Sequence, residues 1–149
     1  MLNWAQFEEA AGEIAGRGRA LFSIGYAFIA TTASDGAPRV HPVTPLINGG
    51  RLFVFVAKHT AKYPNLIRDG RYAMHALLGE SDEEFLIYGR AMPADDAEAD
   101  RLAWEAARAI GMTSKNHRLM EFLIDRAHWA VWEGLGTNDI RRVAKAWAA

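Results

Sequence analysis

The sequence predicts an antiparallel sheet, closing toward a barrel, with helices packed outside it. Three observations carry this. Short runs rich in aromatic and β-branched residues are joined by tight-turn sequences at Asp35-Gly36, Asn48-Gly49-Gly50 and Gly79-Glu80-Ser81-Asp82. Asp-Gly and Asn-Gly tolerate positive φ and suit hairpins, not parallel crossovers. The segments read as one helix, three strands, a short helix, two strands, two helices and one or two final strands, so crossovers are few. The chain has 149 residues, half of them hydrophobic and 23% charged, enough for a single domain (1–149) with a full core.

In chain order, residues 3–18 read as an amphipathic helix. Asn3 is its N-cap, Trp4, Phe7, Ala11 and Ile14 share a face, and Gly16 and Gly18 end it. Residues 21–33 carry a strand signal, and Ser34-Asp35-Gly36-Ala37-Pro38 turns the chain into a second strand over 39–47. Pro42 and Pro45 cannot donate to a ladder, so this strand belongs at a sheet edge or carries a bulge. Leu52-Phe53-Val54-Phe55-Val56 marks a buried strand at 51–57. The short helix that follows begins either at Thr60, with Pro64 straining it, or near Pro64. Residues 71–79 and 84–92 form another hairpin. Pro93 and Asp95-Asp96 open a helix to Gly111 whose core face is Ala99, Leu102, Ala103, Ala106 and Ile110, with Trp104 off that stripe. A second helical piece is expected from Lys115 to Ile124, and Ala127 to Leu135 reads as a strand. Residues 139–147 alternate like a strand but end in helix-favouring alanines.

Composition excludes several functions. There is no cysteine, hence no disulfide, thiolate metal site or cysteine nucleophile. A net charge of −1 lacks the basic bias of nonspecific nucleic-acid binding. Glu8, Glu9 and Glu13 interrupt the N-terminal apolar residues, so no signal peptide is expected, and no segment is apolar enough to span a bilayer. A cytoplasmic protein is the expectation. His59, His75, His117 and His128 show no metal-ligand spacing and read as structural.

The stretch from Arg39 to Arg71 holds the candidate site. A strand, a turn and a buried strand lead into the cationic loop Lys58-His59-Thr60-Ala61-Lys62 at the start of a helix. Hydroxyl, ammonium and free backbone N–H groups there suit a phosphate. The plain alternative is a solvated lysine beside an ordinary N-cap.

The Asp35-to-Val40 hairpin, the His41-Pro42-Val43 strand and Lys62-x-x-Asn65-Leu66 followed by Asp69-Gly70-Arg71 resemble the pyridoxamine 5′-phosphate oxidase-like family of FMN-binding split β-barrels. The element order agrees over nearly the whole chain. The resemblance implies a split antiparallel barrel with Greek-key features and flanking helices, and a homodimer with a flavin at each end of its interface. It implies that His41, Pro42, Val43 and Thr44 run under the flavin ring and ribityl chain, and that Thr60, Ala61 and Lys62 hold the phosphate. Where the family often has a basic residue before the phosphate lysine, this chain has Ala61; either Lys58, Arg39 or His59 is the substitute charge, or the phosphate is held weakly. The Arg-x-His substrate signature of the true oxidases is missing, because Arg141-Arg142-Val143 lacks the histidine. Trp129 and Trp132 face opposite sides of a strand, one toward the core and the other toward a flavin across the dimer or an interface anchor.

The expected function is an FMN-dependent oxidoreductase with a small-molecule substrate or electron donor and no assignable general acid or base. Two rivals stay open: a related barrel binding deazaflavin or haem, with His41 as an axial ligand, and a non-enzymatic or degenerate flavin-binding barrel.

Overall fold

A computed structural model describes residues 1–149. Helices α1 (Trp4–Ala10) and α2 (Gly12–Phe22) precede β1 (Ala27–Thr32), β2 (Pro38–Val43), β3 (Leu46–Asn48) and β4 (Arg51–Ala57). Helix α3 (Lys62–Arg68), β5 (Arg71–Ala76), a 3-10 turn (Glu80–Asp82), β6 (Glu84–Pro93), α4 (Ala97–Ala109), β7 (His117–Glu133) and β8 (Arg141–Ala148) complete the chain. All strand pairs are antiparallel, in the order β2-β1-β5-β6-β7-β4-β3, with β8 also on β7. This is the expected fold class. No helix is long and apolar enough to cross a membrane.

The N-terminal helix differs from expectation in both its break and its end. Asn3 and Gln6 form a reciprocal capping box, which fixes the start. The chain breaks at Ala11 (φ −144°, ψ 46°) and then continues as α2 to Phe22, straight through Gly16 and Gly18. Gly18 is a packing residue, not a stop: a Cβ there would lie 2.2 Å from Cζ of Phe85. The helix therefore takes residues 21 and 22, and the first strand starts only at Ala27.

The expected strand 39–47 is two strands. It breaks at Thr44-Pro45, and β2 and β3 become opposite edges of the sheet, each with a single partner. Proline at the break and at Pro42 explains why neither edge is extended. Pro64 is the third residue of α3, inside the first turn, where it removes no helical bond.

Strand β4 lies between two cores. Leu52, Val54 and Val56 join the main cluster with Trp4, Phe7 and Phe85. Phe53 and Phe55 join a second cluster under α4, with Ala99, Leu102, Ala103 and Ala107. Ala107, not Ile110, completes the buried stripe of α4; Ile110 caps the helix and is exposed. Asp96 caps the other end, accepting from the Ala99 N–H at 2.7 Å.

The expected helix from Lys115 to Ile124 is instead strand. Residues 117–121 pair with β4 and residues 120–130 with β6, so both sides of β7 are bonded. Ladder formation overrides a locally helix-compatible pattern. Residues 126–133 then pair with β8, so the ambiguous stretch is strand from Arg141 on, with Asp139 and Ile140 left in the preceding turn.

Candidate functional site

The geometry begins with a buried amide. Asn65, on α3, donates to the Thr31 hydroxyl of β1 at 3.0 Å. An unsatisfied buried amide is costly, so this bond pins α3 against the inner face of β1. Lys62 lies one turn before Asn65 and Leu66, on the same side of the helix. Across β1, Arg39 stands opposite Thr31 and His41 opposite Ile29; directly opposed residues share a face. The start of α3 and the inner face of β2 are thereby brought together.

The electrostatics record that proximity. His41 is held below the ordinary histidine range, first by burial, then by the charges of Lys62 and Arg39. Lys62 is itself held below the ordinary lysine range, by burial alone; no carboxylate acts on it. The His41 Nδ1 is buried without a hydrogen-bond partner. A partly desolvated ammonium with no counter-ion and an orphaned imidazole nitrogen are both unfavourable unless a ligand or solvent completes them, and an anion meets both needs. Two cations and an unpartnered imidazole nitrogen are associated here and no acid acts on them, which fits a phosphate group.

The other expected residues divide. Val43 is buried, Thr44 and Ala61 are half-buried, and Pro42 is exposed at the edge. Lys58 is exposed, and its backbone N–H bonds the Asn116 carbonyl at 3.0 Å. The Thr60 hydroxyl donates to the Ala57 carbonyl at 2.7 Å, so it must turn before it can donate to a ligand. Trp129 is the core member of the tryptophan pair. Its indole N–H donates to Glu83 at 2.7 Å and the Arg17 guanidinium lies over its ring, which leaves it no free face. Trp132 is half-buried on β7, opposite Arg142.

The Asp69-Gly70-Arg71 segment is architectural. The Arg71–Asp69 ion pair lowers the Asp69 carboxyl to about 2. Gly70 adopts φ +74°, where a Cβ would lie 2.7 Å from the Ala91 carbonyl oxygen. Sequence reasoning missed the role of Asn65 as the peg of α3; an amide beside Leu66-Ile67 was the available signal. It also missed a bare sheet face. Pro42, Phe28, His75, Leu86, His128 and Ala146 are successive cross-strand partners from β2 to β8. Phe28 is 45% and Val40 63% exposed on this face.

An antiparallel barrel split between β2 and β3, with a cationic recess at one of those edges, is the split-barrel class. The chain belongs to the pyridoxamine 5′-phosphate oxidase family, whose model matches residues 19–130. No curated protein matches the sequence. Among solved structures, a heme binding protein from Mycobacterium smegmatis aligns with TM-score 0.64 and 20% identity, over 89% of this chain and 57% of that one. The chain thus spans little more than half the length of that relative. A NimC/NimA family protein from Clostridium acetobutylicum aligns with TM-score 0.64 and 18% identity, over 93% and 98% of the two chains. A pyridoxamine 5′-phosphate oxidase-related, FMN binding protein from Nostoc punctiforme aligns with TM-score 0.61 and 13% identity, over 96% of each. At these identities the likeness establishes the fold.

Proposed function

We propose that this chain binds FMN and works as a flavin-dependent oxidoreductase, as a homodimer with the flavin at the subunit interface. The observation that carries the reading is the unpaired cationic recess, where the charges of Lys62 and the exposed Arg39 act on His41 and its Nδ1 is buried without a partner. A phosphate near −2 charge completes all three groups. Bound flavin would supply the hydride chemistry. The chain's own part is positional. Lys62 and Arg39 anchor the phosphate, Val43 at the end of β2 and Thr44 just beyond it extend from it, and the free edge of that strand offers backbone groups to a polar rim. Thr60 adds a donor once its hydroxyl turns.

The dimer reading is supported by the bare face. Its Phe28 row carries a large aromatic at 45% exposure, beside Val40 at 63%. Faces of this kind are characteristically buried by a partner.

The test is spectroscopic. Purified protein mixed with FMN is expected to retain a yellow chromophore through gel filtration, and that chromophore should bleach when a reduced nicotinamide is added anaerobically. Retention without bleaching would support a binding barrel without this activity. A Soret band on adding haem, lost in His41→Ala, with no flavin retained, would replace the reading altogether.

A further inference from the structure

The recess that explains phosphate affinity also contains a titratable group whose charge must respond to occupation. We propose that His41 takes up a proton when the phosphate of a bound flavin nucleotide enters between Arg39 and Lys62, so that binding of FMN, but not of riboflavin, is proton-linked through this residue. The inference rests on the FMN reading above.

The argument is one of neighbours. The charges that act on His41 are those of Lys62 from α3 and Arg39 on its own strand; across β1 it stands opposite the uncharged Ile29, with Thr31 opposite Arg39. No carboxylate acts on it. In the free protein the two cations and burial all disfavour an imidazolium, and the buried Nδ1 has no acceptor or donor to meet. A phosphate reverses each condition. Its charge of about −1.5 to −2 offsets Lys62 and Arg39, and its oxygens accept from an Nδ1–H. Opposite charge and hydrogen bonding to the charged form both raise a histidine's affinity for protons. Riboflavin brings neither. The ligand contributes with the opposite sign, because a cationic site favours the phosphate dianion and expels its last proton. Wild type must therefore be compared with a variant that keeps the ligand's contribution and removes that of His41.

Two measurements decide it. Histidine ring resonances of the wild-type protein are followed from pH 5 to 8.5, free, with riboflavin and with FMN, the His41 signal being assigned by its loss in His41→Gln. Its midpoint is expected to move upward with FMN and to stay with riboflavin. In parallel, the ratio of FMN affinities, wild type over His41→Gln, is expected to fall as the pH rises from 5 to 8.5, by at most about tenfold for a one-unit change in the proton affinity of one group. If both flavins bind and the His41 midpoint moves with neither, or equally with both, the inference is overturned while the FMN reading stands. If neither flavin binds, both fall together.

Discussion

Strands β2 and β4 lie close in sequence and belong to one sheet, yet they represent opposite uses of the same backbone. Every residue of β4 from Leu52 to Val56 is buried, because its two faces meet two different cores. Of β2, only Val43 is buried. It has one partner strand, prolines at its first and fifth positions and a half-buried histidine with an orphaned nitrogen. The first strand is finished by its own chain. The second is left incomplete, in hydrogen bonds, in charge and in apolar cover, and the proposed flavin and dimer contacts would fill those deficiencies. Stability is concentrated at the centre of this sheet and recognition at its edge.

Breaking the stable side has the largest effect. Phe53→Ala removes a fully buried ring from the interface of β4 and α4 and is expected to cost about 3–5 kcal/mol, read as a fall in the urea midpoint at unchanged slope. A loss below about 1 kcal/mol would mean that the second core contributes little. On the recognition side, Phe28→Glu is expected to leave the monomer folded, since the ring is half exposed. It should dissociate the dimer, with a loss of roughly 2 kcal/mol or more if the ring is an interface anchor. Light scattering on wild type and variant reads this; a wild-type monomer at micromolar concentration would end the dimer proposal.

Lys62→Ala sharpens the contrast within one residue. FMN affinity should fall by roughly 1.5–3 kcal/mol, about tenfold to a hundredfold, with riboflavin affinity and folding nearly unchanged. Equal losses for both ligands would point to general damage of the pocket. The smallest effect is the pH dependence of the free protein. Folded His41 binds its proton only at pH below the ordinary value near 6.5. The unfolded chain thus holds more protons just below that pH, and His41 removes stability as the pH falls through it and adds none above. Wild type should lose more stability than His41→Gln between pH 7 and 5 by chemical denaturation, and parallel curves would show that His41 is not buried as described.

Much of this architecture is legible in local sequence. Asp35-Gly36 specifies its hairpin, Asp96 its cap, and the run Leu52–Val56 a strand covered on both sides. What stayed hidden depends on distant partners. Nothing near Gly18 announces the Phe85 ring above it, and residues 117–124 become strand only because β4 and β6 flank them. The site divides the same way. Lys62 and His41 are visible as residue types, but the absence of any carboxylate beside them is a property of the folded chain. Trp129 and Trp132 alternate as expected, and only packing shows that Trp129 is the one held by Glu83 and Arg17.

The break at Thr44-Pro45 carries a consequence of phase. Side chains alternate with a period of two along a strand, and this pair of residues transmits that phase from one edge of the sheet to the other. His41 and Val43 point inward on one side of it, and Leu46 is buried on the other. A single residue inserted there that the link does not absorb forces one of the pairs β1–β2 and β3–β4 to slip by one position. Then either Leu46 turns out of its core or His41 turns away from Lys62. The length of this short link thus couples the polarity of the recess to the packing under α4, although the two share no side chain.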